Sequence, residues 1–455
     1  MSNISQFKSE LLNKPFSTNK KTCPTAPPKE AFNPAKTFYD SSSGKYITDV
    51  GKHYREYSRK KAIMQGIKRH MELHNMDDDI ESLMEEIELD RAIDWQGSIA
   101  GYMRGIHLFH NKSYLVKDEP NTIAKAEGEF PLIKNIIDQA FPSEDSKNVF
   151  LSWLRDGVRA VNASHHHPAP MLVMAGERSA GKSLIALITT KALGGRASNP
   201  MKAWSGKTLW NNDLLGAELL LIDDSEASTD IRARKALGAN FKESIYGENI
   251  KIQTRNTTAM DMRPVWRVMI CCNETPENLS VIPPLEEGIE DKIILLKVKM
   301  IKTPMPAQSV EEKAKFVQAI EAELPALVHY LESMETPSHL QDNRDGVIAW
   351  KDPSLLQAIN EISPEHRLEA LITLCIDQGF MEILQGESSE MSAAEIQQRL
   401  TDRDSPTAEQ ARGLLKHDNN CGTYLTRLVK KGSAIITERI EGKGGKPTRY
   451  RIKKI

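Results

Sequence analysis

Apolar and polar positions along the chain follow two rhythms. Between residues 170 and 302, short unbroken apolar runs alternate with segments of helical spacing. The runs are MLVMA (171–175), AELLLIDD (217–224), the VMICC that closes 249–273, and IILLKVKM (293–300). Strands buried on both faces read as such runs, and helices between them supply the cover. The pattern predicts a parallel sheet in an α/β domain. LIALITTKALGG (184–195) predicts a helix that stops at Gly194-Gly195, and a second helix runs from Arg232 to about Ile245. The start of 249–273 reads as a hairpin. On either side the rhythm changes. Ile63, Ile67 and Met71 recur at a spacing of four, and helices are expected over 53–75 and 79–103. FYDSSSGKYIT and IHLFHNKSYLV (106–116) predict hairpins, the second around His110-Asn111-Lys112, and helices follow at 132–140 and 145–162. Residues 309–382 read as helical apart from loops at 336–346. Helices at 392–400, 407–415 and 421–431 precede a hairpin formed by SAIITERI, GKGGKP and TRYRIKKI.

These elements divide the chain into a flexible polar arm (1–36), a small α+β module with no catalytic signature of its own (37–160), an α/β domain (161–302), a helical linker region (303–385) and a terminal domain (386–455). Three helices followed by a basic hairpin is the winged-helix arrangement, which is expected at the C-terminal end. The chain has 455 residues, 40% hydrophobic and 27% charged, which excludes disorder or collagen as a description of the whole. No apolar run approaches the ~18 residues of a membrane span, and MSNISQFKSELLNKPF has no apolar signal core. A cytoplasmic protein with no membrane partner is expected. Cys23, Cys271, Cys272, Cys375 and Cys421 are scattered and form no CxxC, which argues against a disulfide framework or a thiolate zinc site. The net charge of −2 hides an asymmetry, because residues 391–455 carry 14 Lys and Arg against 7 Asp and Glu. A basic end points to an anionic partner, nucleic acid being the usual one.

The candidate chemistry begins at GERSAGKS, which fits G-x-x-x-x-G-K-[ST]. Gly176, Glu177, Arg178, Ser179, Ala180, Gly181, Lys182 and Ser183 follow a predicted strand and open a predicted helix. Glycines let such a loop wrap phosphates with backbone N–H groups, and the helix N-terminus adds partial positive charge. Lys182 is expected on the β- and γ-phosphates of ATP and the Ser183 hydroxyl on Mg²⁺. Asp223-Asp224 ends the run LLLI, where a carboxylate at a strand end sits beside the loop. Asp223 is expected to hold Mg²⁺, and Asp224 to orient or deprotonate the attacking water, with Glu226 competing for that role. Asn273 ends the strand VMICC and is placed to position the water. His165-His166-His167 reads as a solvated loop rather than a metal site, since neighbouring residues point in different directions. Trp204, Trp210 and Trp266 read as core or interface aromatics.

Phosphate loop, strand-Asp-Asp, hairpin and strand-Asn, in that order, resemble the superfamily 3 helicases, the hexameric AAA+ ATPases of small DNA viruses, phages and plasmids. The chain is most similar to the helicase half of phage and plasmid primase–helicases. FYDSSSGKYIT, GEFPLIKNIIDQAF, FLSWLRDGV and NETPENLSVIPPLEEGIEDKIILLKV carry the resemblance outside the motifs, over about 37–455. It implies a P-loop AAA+ ATPase core, an N-terminal α+β module, a C-terminal winged helix and a homo-oligomeric ring. It also implies a pre-sensor hairpin, Ile250 to Pro264, that grips single-stranded DNA through Lys251, Arg255 and Asn256. In the winged helix, Tyr424, Arg427, Lys430 and Lys431 are expected to contact duplex DNA from the recognition helix, and Lys443, Lys446, Arg449 and Arg451 from the wing. One departure stands out. The family places an arginine finger after the sensor Asn, yet Glu274 to Met300 contains no Arg. Lys292, Arg263, Arg267, Arg232 and Arg234 are the remaining candidates. Primer synthesis is expected to come from a separate primase or polymerase.

The favoured reading is an ATP-driven helicase or translocase replicating a phage, plasmid or other mobile element. The first alternative is an ATP-dependent DNA-binding initiator or switch with slow hydrolysis and no unwinding. The second, a small-molecule kinase on the same loop, is disfavoured because no Arg-rich lid is present.

Overall fold

A computed structural model describes residues 32–208, 211–223, 231–247, 249–253, 260–285, 288–361, 363–383, 387–417, 419–442 and 446–454. The chain divides into two compact units, Met1–Asp352 and Pro353–Ile455.

In the first unit the apolar runs become a five-stranded parallel sheet. Its strands are β1 (Met171–Gly176), β2 (Ala197–Ser198), β3 (Leu219–Asp223), β4 (Arg267–Asn273) and β5 (Ile293–Lys297), in spatial order β5-β1-β4-β3-β2. β2 is too short to read from sequence. Every residue of β1 is buried. Leu172 and Met174, Leu221, Met269 and Cys271, and Ile294 and Leu296 pack into one apolar core with helices α1 (Pro131–Ala140), α2 (Glu144–Asn162), α3 (Lys182–Ala192) and, later in the chain, Val310–Ser333. Helix α4 (Ile231–Tyr246) follows β3, and an antiparallel pair, Ile250–Ile252 with Met260–Met262, precedes β4.

The preceding module departs from the helical expectation at both ends. Residues 53–75 open with a strand, Tyr54–Tyr57, paired with Lys45–Asp49, and the helix begins only at Lys60. The helix expected over 79–103 spans Ile80–Leu89. It yields to short strands and to Gly101, whose φ is +76° and whose backbone lies so close to Val265 that a Cβ would sit 2.4 Å from that side chain. Strand pairing with distant residues decides both cases, and local periodicity carries no record of it. The 106–116 hairpin forms as expected, with His110 and Asn111 at φ 50° and 61° in a two-residue turn.

The second unit contains α6 (Pro364–Asp377), β6 (Ser388–Ser392), α7 (Ala393–Thr401), α8 (Ala408–Leu414), α9 (Asn420–Lys430), β7 (Ile436–Ile440) and β8 (Arg449–Lys453); the Val310–Ser333 helix of the first unit is α5. The strands form an antiparallel sheet in the order β6-β8-β7. β6, SSEMS, has a single large apolar residue and escapes a reading based on apolar pattern. Ser392 ends that strand and caps α7 in a capping box with Glu395. Helix α6 supplies Leu368, Leu371, Ile372, Cys375 and Ile376 to this unit's core.

Candidate functional site

Parallel register brings the C-terminal ends of three strands together. Asn273 on β4 lies opposite Gly176 on β1, and Cys271 on β4 opposite Asp223 on β3. The loop leaving β1 therefore faces both polar strand ends. Its shape depends on two glycines. A Cβ at Gly176 would stand 2.3 Å from Val298 O, and one at Gly181, where φ is +99°, would stand 2.6 Å from Ile301 Cδ1. The segment Val298–Ile301 is bonded onto the loop, with Val298 N donating to Ala175 O at 2.8 Å and Ile301 N to Ala180 O at 3.0 Å. Ser179 also takes a positive φ of 65°. Gly181 is the N-cap residue of α3, so the first free amides of that helix open at the loop.

Lys182 is buried. Its Nζ donates to Gly176 O at 3.0 Å, Glu177 O at 2.8 Å and Asn273 Oδ1 at 3.3 Å. Ser183 Oγ donates to Asp223 Oδ2 at 3.3 Å. The structure thus brings Lys182, Ser183, Asp223 and Asn273 to one place, with Glu177, Arg178 and Ser179 exposed at the mouth and Ala180 buried beneath. Asp224 and Glu226 lie outside the described residues. Two groups escaped the sequence reading. Lys297 Nζ pairs with Glu274 Oε2 at 2.8 Å, and Glu274 N donates to Gly176 O, which ties the residue after Asn273 to the loop. Cys272 lies beneath Asn273, and burial pushes its thiol up to about 12, with Lys182 and Asp223 acting in opposite senses. No motif marks either, because their roles come from neighbours distant in sequence.

These residues fit a nucleotide triphosphate with Mg²⁺. The two glycines leave a cradle that a Cβ would fill, and Lys182 carries a buried ammonium on exchangeable loop carbonyls. A hydroxyl and a carboxylate stand together as hard oxygen donors of the kind Mg²⁺ takes.

The finger candidates separate by burial. Arg267 is buried with Nη1 donating to His167 O at 2.7 Å, and burial lowers it to about 10. Arg234 is buried with Nη2 donating to Ile282 O at 2.8 Å. Lys292 is buried, pairs with Asp291 at 2.7 Å and stands 5.2 Å from the Tyr246 ring centre. These three are engaged within their own chain and are not presented to a neighbour. Arg263 is exposed, and the side chain of Arg232 lies outside the described residues.

The hairpin residue Lys251 is exposed on its strand, while Arg255 and Asn256 lie outside the described residues. His166 corrects the solvated-loop reading. It is buried, with Nδ1 3.0 Å from Pro264 O and Nε2 3.0 Å from Ile245 O, and so ties the hairpin's exit to the end of α4. Among the described residues no cluster of His, Cys, Asp and Glu is arranged for a metal ion.

In the second unit Tyr424 departs from its expected role. Cys421, Tyr424, Leu425 and Leu428 form the inward stripe of α9, and the ring is part of the core, so it does not face a duplex. Lys430 and Lys446 are exposed. Lys431 pairs with buried Glu365 at 3.0 Å, with Arg427 at 4.0 Å from the same carboxylate. Arg449 pairs with Glu395 at 3.2 Å and Arg451 with Glu390 at 2.8 Å. Lys443 lies outside the described residues. Of these acids only Glu365 and Glu390 lie outside residues 391–455, so they offset a minor part of that segment's basic excess.

No protein family matches the chain by sequence, and no curated protein does. Solved structures match over nearly the whole length. The apo structure of the NrS-1 C-terminal region (305–718) shares 13% identity at a TM-score of 0.52, covering 91% of this chain and 95% of that one. The A form of the same region shares 12% identity at a TM-score of 0.54, covering 92% and 96%. At such identity the likeness is one of fold. No helix among the described residues is long and apolar enough to cross a membrane.

Proposed function

We propose that this protein is a P-loop ATPase of the AAA+ superfamily 3 type that translocates on DNA and unwinds it during replication of a mobile element. The observation that carries the reading is the convergence of Lys182, Ser183, Asp223 and Asn273 at one sheet edge beside a glycine-shaped loop. On this reading the loop amides and Lys182 hold the triphosphate, with Lys182 giving up its loop carbonyls to do so. Ser183 and Asp223 hold Mg²⁺, which supplies charge neutralisation when bound. Asn273 orients the attacking water, together with Asp224. The likeness in fold to the NrS-1 C-terminal region runs over nearly the whole chain and agrees with the arrangement of domains this reading needs. Helices α7–α9 followed by the β7/β8 hairpin support a winged helix that binds duplex through Lys430 and Lys446. The hairpin carrying Lys251, with Arg255 and Asn256 between its strands, is assigned to single-stranded DNA in a ring of copies.

The test is ATP turnover with and without single-stranded DNA, measured beside separation of a forked duplex. Stimulated turnover with separation is the expected result; turnover without either leaves the slow-hydrolysing switch. The burial of Arg234, Arg267 and Lys292 narrows the finger candidates to Arg263 and Arg232. Arg263→Ala is expected to slow turnover without weakening ATP binding.

A further inference from the structure

We propose that Lys297 is a second cation for the γ-phosphate of the nucleotide, supplied by the same chain and parked on Glu274 until the triphosphate arrives. The inference rests on the ATPase reading above and adds a residue that the loop motif does not contain.

The Lys297–Glu274 pair spans the strand end on which the phosphate loop begins. Lys297 is the last residue of β5 and lies opposite Ala175 of β1, while Glu274 directly follows Asn273, the last residue of β4. β1 lies between β5 and β4. The 2.8 Å contact from Lys297 Nζ to Glu274 Oε2 therefore passes across the end of β1, where Gly176 opens the loop. The Gly176 carbonyl joins this pair to the site. It accepts from Lys182 Nζ at 3.0 Å and from the Glu274 amide at 3.3 Å. Lys182 and Lys297 thus stand at one strand end, the first on loop carbonyls and the second on a carboxylate. Phosphate oxygens can replace either kind of partner.

Charge balance gives the arrangement its reason. The hydrogen bond and charge of Glu274, with Asp352 and Glu177 farther off, hold Lys297 above its ordinary value. Three carboxylates face one ammonium at this rim, and Asp223 ends β3 beyond them. A triphosphate entering here meets that negative charge, and each cation able to turn towards it lowers the repulsion. Residues 274–300 hold no Arg and three lysines. Lys292 is buried on Asp291, and Lys299 has left β5 with its amide bonded to Ala140 O. Lys297 is the lysine of that stretch held at the loop.

The pair is also open to solvent, its side chains 38% and 28% exposed. An ion pair so exposed adds little to stability, so folding does not account for it. The flexible four-carbon stem lets the Lys297 ammonium swing from carboxylate to phosphate. Lys297 forms no covalent bond and gives up no proton. It offsets charge on the γ-phosphate oxygens, over which charge is spread during transfer. ADP lacks those oxygens, so with ADP bound Lys297 stays on Glu274.

That difference is the test. Binding of ADP and of a non-hydrolysable ATP analogue, each with Mg²⁺, is measured by calorimetry on the full chain. Lys297→Gln is expected to weaken the analogue about tenfold or more and to leave ADP within about twofold, as loss of one charged hydrogen bond to the γ-phosphate does. Turnover at saturating ATP is expected to fall, and Lys297→Arg to keep the analogue near its wild-type affinity. Lys297→Gln also strips Glu274 of this partner, so the substitution is repeated in a Glu274→Gln chain. The same selective loss is expected there. No loss in that background assigns the effect to the bared carboxylate and overturns the proposal. Equal loss for ADP and the analogue, or loss for neither, overturns it too, and wild-type turnover then leaves the ATPase reading standing. A wild-type chain that binds neither nucleotide overturns both.

Discussion

Lys182 sits on two loop carbonyls and on the Asn273 amide oxygen, so one ammonium already links the loop to the strand end assigned to water positioning. Lys182→Ala is expected to lower ATP turnover by about 10²-fold or more, as loss of a preorganised charge at a transferring phosphoryl group does, measured by phosphate release. Gly176→Ala tests the cradle. Its Cβ would meet Val298 O at 2.3 Å, and the roof over the loop must move. Nucleotide affinity by calorimetry is expected to fall at least about tenfold, with thermal stability lowered by about 1–3 kcal/mol. Tyr424 belongs at this scale too. Tyr424→Ala is expected to cost about 3–5 kcal/mol in unfolding by denaturant, as core aromatic truncations do, whereas Lys430→Ala with Lys446→Ala is expected to leave stability unchanged and weaken duplex binding in a salt-dependent way.

At the scale of elements, α6 and α9 are joined through Glu365. Burial pushes the Glu365 carboxyl up, but the charge and hydrogen bond of Lys431, with Arg427 beyond, outweigh it, and the group stands below its ordinary 4.5. A carboxyl lowered in the folded state adds stability that is present above its unfolded value and lost as pH falls through the folded one. The second unit is therefore expected to lose stability progressively below pH 4.5. Glu365→Gln is expected to cost about 1–3 kcal/mol at neutral pH and to flatten that acid dependence, both read from denaturant midpoints. The first module shows the opposite case. Its opening helix begins on cations, which the helix dipole disfavours, and Glu88 of the following helix pairs with Lys60 at 2.8 Å to offset one of them.

For the whole molecule, the two compact units define where the chain can be cut. Removing 391–455 strips β6's last residues, α7, α8, α9, β7 and β8 from a core that α6 shares, and leaves Leu368, Leu371, Ile372 and Ile376 bare. That truncation is expected to aggregate. Removing Pro353–Ile455 as a unit is expected to leave ATP turnover within about twofold and to abolish most duplex binding, as measured by fluorescence anisotropy.

Local spacing alone determined the apolar strands β1, β3, β4 and β5, the helix after the loop, and the residues of the loop itself. Each depends on neighbours a few positions away, which is the range over which periodicity and glycine placement act. Tertiary structure decided what depends on distant contacts: the two-residue β2, the polar β6, the strand at 54–57, and the burial of Tyr424 and His166. It also decided which basic residues remain presented. Arg267 and Lys292 look alike to Arg263 and Lys430 in sequence, and only the packing around them separates a charge sealed within its own chain from one facing outward.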